Sequence, residues 1–411
     1  MKYLSRTPLA IALCAGALHA QTSKAPKVEV EMLWPKPLPT HYLLGSAVGL
    51  AIDSRDHIFV LNLPNTFVAR TEVGAEASPP IGECCFPSSN VLEFDPDGNL
   101  VGKWGGPGQG YTWPSANNGL AIAPNGNLWI GGVGPRDTQI LEFTTAGSFV
   151  RAIGAAAPPI PAPTSTPGQP DTAYAGVSPG RGGRGGGRGG RGNAPPPLPA
   201  NSGSLDLFGG AASFAFNAKT NEAYVADGSR NHRIAVVDLN TGKITRAWGA
   251  GGKPADDNAA GTARFGAVSC VELSHDGLLY VCDRTNDRIQ VFKTTGEFVK
   301  EASIAPNTKG AGSVWDIAFS RDGDQKYLYV ADGQNMKVHI LDRQSLAELS
   351  SFGEGGRQPG EFFAVHSIAT DSKGNVYTVE SLEGKRLQKF DFKGVTDVPK
   401  NQGTAWPKGG K

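Results

Sequence analysis

Two side chains in this sequence stand out as equipped for chemistry. They are His366, in Ala364-Val-His-Ser-Ile-Ala369, and Arg284, in Val281-Cys-Asp-Arg-Thr-Asn286. An imidazole can ligate a metal or move a proton near neutral pH. A guanidinium can hold a carboxylate through paired, charge-assisted hydrogen bonds. Commoner catalytic sets do not fit. No Ser-His-Asp set can be placed from the spacing, and the sequence has no Gly-x-Ser-x-Gly or phosphate-loop motif. The Gly-rich tract at 180–192 lacks the strand-then-helix context of a nucleotide fingerprint. The cysteines match no zinc or haem spacing. Cys270 and Cys282 flank the turn Ser274-His-Asp-Gly277 almost symmetrically and should face each other across a hairpin, either bridged or as two free thiols. Cys84 and Cys85 are adjacent, and read as two loop thiols or a strained vicinal disulfide.

A repeat must position these groups. Ala223–Asp238 and Leu279–Phe292 share one pattern: an apolar strand ending in Asp227 or Asp283, a polar turn with Asn231 or Asn286, an Arg-Ile pair and a second apolar strand. Self-similarity at such a period marks a repeat architecture. Six units open with a short apolar strand, at 49–53, 119–123, 213–217, 270–274, 316–320 and 367–371. Tight turns follow, several with Asn-Gly or Asp-Gly, which supply the positive φ that hairpins need. Five units carry a fourth strand, and four antiparallel strands make a propeller blade. The sixth lacks one, and the alternating segment at 28–34 is spare. The expected fold is all-β: a six-bladed β-propeller closed by that N-terminal strand, which leaves no open edge.

The expected organisation is a signal peptide at 1–20, blades one and two within 21–154, an insertion at 155–203, blades three to six at 204–395 and a tail at 396–411. The leader reading rests on Lys2 and Arg6 ahead of an apolar run from Leu9 to Leu18, with Ala20 before the cut. The run is too short for a membrane span. A secreted or periplasmic location follows. The Ala-, Gly-, Arg- and Pro-rich insertion holds too little apolar area to offset its ordering entropy and should be disordered. The formal net charge of +1 over 411 residues does not argue for nucleic acid as a specific partner.

The Val-Ala-Asp-Gly-x-x-Asn-x-Arg-Ile pattern, repeated more loosely at 330–338, resembles NHL repeats. Within that group the layout looks most like the peptidyl-α-hydroxyglycine α-amidating lyases. The resemblance implies zinc held by three histidines, each just before an innermost strand of alternate blades. Those positions here are Asn118, Ser269 and His366; the intervening blades offer Val48, Ala212 and Trp315. Only His366 matches the implied ligands, and amide and hydroxyl are poor zinc ligands beside imidazole. The implied calcium carboxylate is replaced by Ser367. The implied arginines fall at about Leu63, beside Asn62, and at Arg284; the implied tyrosine falls at Ser229, beside Arg230.

The reading is therefore a secreted propeller that binds a small-molecule, peptide or protein ligand without turnover. Asn62, Asn118, Ser269, Arg284 and His366 are the candidate ligand contacts. No cofactor is assigned; His366 is the one candidate metal ligand, for zinc or calcium. The alternatives are a divergent lyase-like metalloenzyme and an adaptor tethered by 155–203. For Arg284 the competing expectation is an ion pair with Asp283 or Asp287.

Overall fold

The computed structural model describes residues 22–67, 70–159, 196–259 and 261–407. The expected leader, and most of the insertion expected to be disordered, lie outside them. The described chain forms six four-stranded antiparallel sheets and one two-stranded pair. Blade one is Ser46–Ile52, Ile58–Leu63, Val91–Phe94 and Leu100–Trp104; blade two is Asn117–Ile122, Leu128–Gly132, Ile140–Phe143 and Phe149–Ile153. Blade three begins with Ala211–Asn217, blade four with Val268–Leu273, blade five with Asp316–Phe319 and blade six with Val365–Thr370. Each of these inner strands packs against the inner strands of its two neighbours, and the sixth returns to the first. The fold is a closed six-bladed β-propeller.

Period-two alternation explains the ring. Along the second strand of blade three, Tyr224 and Ala226 face the core shared with blade four, while Ala223 and Val225 face the core shared with blade two. Both faces of the strand are buried, so it reads as a continuous apolar run. Among the described residues there are six such apolar clusters, one at each blade-to-blade junction. An open ring would leave one of them half exposed.

The repeated polar residues build a second, blade-internal device. Asp227 is wholly buried and accepts from Asn231 Nδ2 at 2.9 Å and Arg233 Nε at 2.8 Å. Asp283 does the same with Asn286 at 2.9 Å and Arg288 at 2.7 Å. In blade five Asp332 takes Asn335 and, in place of an arginine, His339 Nε2 at 3.1 Å. The motif thus fastens the second strand of a blade to its third.

Closure differs in detail from the sequence expectation. The closing strand is Thr22–Val30, not 28–34, and it forms the outer edge of blade six. Residues 31–34 leave the sheet in a turn, and Trp34 packs into the core between blades six and one. Blade six does not end at 395. Its third strand runs from Leu387 to Pro399, and Thr22–Pro26 pair with Val395–Pro399. The supposed tail at 396–411 is therefore partly strand, and Ala405 reaches back to accept from the Val30 amide at 2.8 Å. The sequence pattern hid this because Lys393, Gly394 and Asp397 have little strand preference and the outer half of the strand is largely exposed.

Both cysteine pairs are bonded. Cys270 and Cys282 are cross-strand partners with Cα atoms 4.9 Å apart, both buried. Cys84 and Cys85 form a vicinal disulfide in the blade-one insertion, not two free thiols.

Candidate functional site

The six positions expected just before the innermost strands meet around one mouth of the central channel, but five of them, Val48, Asn118, Ala212, Ser269 and His366, lie within the first residues of those strands, and only Trp315 precedes its strand. Asn118 Nδ2 donates to the Ala212 carbonyl of blade three at 3.2 Å, and Ser269 Oγ to the Val314 carbonyl of blade five at 3.0 Å. Trp315 meets the His366 ring edge-on, with centroids 5.5 Å apart. His366 hydrogen-bonds the main chain of Val48 in blade one. Because every second strand ends on this face, the second-to-third-strand loops lie here, as do the connections between blades.

Arg284 leaves the second strand of blade four at this rim. Its guanidinium carbon stands 3.5 Å from the Trp315 ring centre, and Nε donates to the Ala311 carbonyl at 2.8 Å. The expected ion pair with Asp283 or Asp287 does not form. Asp283 is taken by Asn286 and Arg288, and Asp287 accepts from the Ser313 amide. Among the described residues no carboxylate lies within salt-bridge distance of Arg284. Burial pulls its pKa down to about 10, so it is still charged at neutral pH. Gly312 secures the approach: its φ is +79°, and a Cβ there would stand 2.0 Å from the Arg284 carbonyl oxygen.

Burial, then the charge of Arg284, pushes the His366 imidazole down to about 3 against the opposing hydrogen bond to Val48. It is neutral at physiological pH. The zinc set implied by the resemblance does not fit these residues. Asn118 Nδ2 and Ser269 Oγ are turned to main-chain carbonyls, amide and hydroxyl oxygens are weak zinc ligands, and the one imidazole stands beside a guanidinium. Asn62 is placed differently again. It is buried in blade one, accepting from the Gly45 amide at 2.8 Å and donating to Ser88 and Ser89. It braces the insertion and does not face the mouth. Ser229 donates to Val133, and Arg230 is bound by the carbonyls of Gly134, Asp137 and Phe208.

Among the described residues, one group of side chains has metal-binding proximity: Asp53, His57 and Glu93. It lies at the turn end of blade one, opposite the mouth, and Arg55 already pairs with both carboxylates. No described helix is long and apolar enough to cross a membrane.

Below the mouth the channel encloses about 390 Å³. Its wall carries Glu272 and Asp316, which sequence reasoning did not single out. Aligning the six inner strands expected from the sequence sets them apart as the acids that do not close a strand, whereas Asp53 and Asp371 stand at the last position.

No family model matches the chain. NHL repeat-containing protein 3 of Mus musculus is 26% identical over 181 residues, or 42% of this chain and 47% of that protein. The Homo sapiens protein of the same name is 25% identical over the same length, again 42% of this chain and 47% of that protein. The matched stretch thus spans about half the length of these curated relatives. A catalytically inactive virginiamycin B lyase from Staphylococcus aureus, solved with quinupristin, is 13% identical with a TM-score of 0.45, covering 92% of this chain and 89% of that chain. By its own six blades the chain is a six-bladed β-propeller, and over 181 residues it is similar to NHL repeat-containing proteins.

Proposed function

We propose that this propeller is a binding module that takes a carboxylate-bearing small molecule or peptide at the channel mouth, without turnover. One observation carries the reading: Arg284 presents a charged guanidinium, stacked on Trp315 and unmatched by any described carboxylate. A half-buried cation without a counter-ion costs free energy that an anionic ligand would relieve. An extracytoplasmic location is supported by the two disulfides, which persist in oxidising compartments.

The test is calorimetric titration of the purified protein with hexanoate and a short peptide with a free C-terminus. Binding should weaken by about tenfold or more in Arg284→Ala, the scale of one lost charge-assisted contact. Binding unchanged in that variant overturns the site. Glyoxylate released from an α-hydroxyglycine-extended peptide by metal-supplemented protein, and abolished by His366→Ala, overturns the non-catalytic reading.

A further inference from the structure

The two disulfides stand in opposite surroundings. Cys270 and Cys282 are wholly buried in the core between blades four and five, and their bond spans a sequence separation of 12. Cys84 and Cys85 are neighbours in the insertion that joins the second and third strands of blade one, on the mouth face. Cys84 is exposed and Cys85 half-buried. The stability that a disulfide confers grows with the loop it closes. A bond between neighbours closes almost none, so it adds little to the stability of the ring and acts on the local backbone.

That backbone holds the insertion together. Phe86–Pro87, directly after the disulfide, pairs in parallel with Tyr42–Leu43, and Ser88 donates its amide and hydroxyl to the Leu43 carbonyl at 3.1 and 2.9 Å. On the other side the Cys84 carbonyl lies against Gly74, where a Cβ would stand 2.7 Å from its oxygen, and the Ile81 amide donates to the Gly74 carbonyl at 3.0 Å. Phe86–Pro87 also packs on the helical turn Arg70–Val73. That turn carries Glu72, which accepts from Lys385 of blade six at 3.0 Å. The Lys385 side chain is only 12% exposed, and its ammonium stands 4.7 Å from the centre of the Phe67 ring. Glu72 and Phe67 belong to the blade-one insertion, while the ammonium they cover belongs to blade six.

We infer that Cys84–Cys85 is a redox site opened by a dithiol, and that the intact bond latches the insertion to blade six through Glu72 and Lys385. The chemistry is thiol–disulfide exchange. A thiolate of the dithiol attacks the sulfur of the exposed Cys84. The bond between the two protein sulfurs breaks, and its electron pair leaves on Cys85, which takes up a proton. The second thiolate of the reductant then attacks the mixed disulfide, and Cys84 leaves as a thiolate and is protonated in turn. The reductant ends as a disulfide, having supplied both electrons and both protons.

Opening the bond removes the small ring that fixes the backbone between Cys84 and Cys85. The path of Phe86–Pro87 between Tyr42–Leu43 and the turn at 70–73 is then no longer held, and Glu72 moves with that turn. Lys385 is left as an uncovered cation on the mouth face. Selectivity follows from access: a reductant meets Cys84 at the surface, whereas Cys270 and Cys282 are enclosed by apolar side chains of two blades. The latch requires no ligand at Arg284, which lies in blade four.

The experiment exposes the purified protein to a dithiothreitol series under native conditions, alkylates the free thiols with iodoacetamide and maps them by peptide mass spectrometry. Cys84 and Cys85 should become labelled at concentrations that leave Cys270 and Cys282 bridged. Lysine acetylation in the same samples reads the latch: Lys385 should react about tenfold faster in the reduced protein, as a locally opened segment does. Glu72→Gln should give Lys385 that higher reactivity while the disulfide is intact, and the double variant Cys84→Ser, Cys85→Ser should show it without reductant. Cys84 and Cys85 still bridged where Cys270 and Cys282 have opened, opening of both bonds at one concentration, or Lys385 reactivity unchanged by reduction overturns the latch. If either variant fails to fold, the unmodified protein before and after dithiothreitol supplies the comparison.

Discussion

The guanidinium of Arg284 lies flat against the indole of Trp315, 3.5 Å from its centre, and the same indole meets His366 edge-on. One tryptophan therefore sets the height of the cation and shields the imidazole. A cation over a tryptophan face is worth about 0.5–2 kcal/mol, more when water is excluded. Trp315→Leu should leave Arg284 free to swing and weaken hexanoate binding by about threefold to tenfold, while Trp315→Phe keeps most of the affinity. Calorimetry on both variants checks this. Equal affinities in the two would mean that the ring only fills space.

His339 should make stability depend on alkaline pH. Burial alone would lower its pKa, but the hydrogen bond to Asp332 and the Glu348 carboxylate 3.1 Å from Nδ1 outweigh that and raise it to about 9. A pKa raised on folding contributes stability that is fully present below the unfolded value near 6.5 and is lost as pH climbs through about 9. The loss should be about 2 kcal/mol, since Glu348 is partly exposed and its share is screened. Urea midpoints between pH 6 and 10 measure it. In His339→Ala the decline over that window should flatten.

The Asp227–Arg233 pair is buried completely, and each partner is the other's counter-charge. Arg233→Leu strands a carboxylate in the core and should cost about 3–5 kcal/mol. Adding Asp227→Leu should recover part of that loss. A urea-denaturation double-mutant cycle decides. Additive losses would show that the two side chains act independently.

Closure by Thr22–Val30 should be indispensable. Val28 and Val30 are buried in the junction between blades five and six, beside Val398 and Ala405. Val28→Asp should destabilise the ring by about 3 kcal/mol or more, because an unpaired charge enters that core. Removal of residues 22–30 should abolish cooperative melting in a thermal scan. A truncated chain that melts like the intact one would show that a three-stranded sixth blade suffices.

The architecture was legible because the period was. Apolar runs ending in Asp, with Asn and Arg at fixed offsets, define a blade, and those residues prove to be its internal hydrogen-bond network. Strand ends were less legible. Lys393-Gly-Val-Thr-Asp397 looks like a tail, because nothing local reveals that Lys24 and Ala25 will pair with it from the other end of the chain. The mouth was legible in position but not in valence. Spacing before the inner strands placed His366 and Trp315 together, yet only the folded loops show that Asp283 is claimed by Arg288 and that Arg284 is left unmatched. Asn62 shows the limit of positional reasoning: its register placed it near the rim, while its amide turns inward to hold Gly45 and Ser88. Glu272 and Asp316 passed unnoticed because each is a single acid in an ordinary-looking strand.

Pairing Thr22 with Pro399 also sets a clock on folding. Blades one to five can each zip from neighbouring sequence, at the microsecond pace of hairpins. The last sheet must instead wait for all the other blades, because its outer strand precedes blade one and its partner follows blade five. The entropy of closing so long a loop grows only logarithmically, so the delay is one of search more than of free energy. Until that search ends, the edge of Leu387–Pro399 is an unpaired template open to any extended chain. Aggregation during refolding should therefore be governed by this one strand, and a synthetic peptide of residues 22–30 added in trans should suppress it.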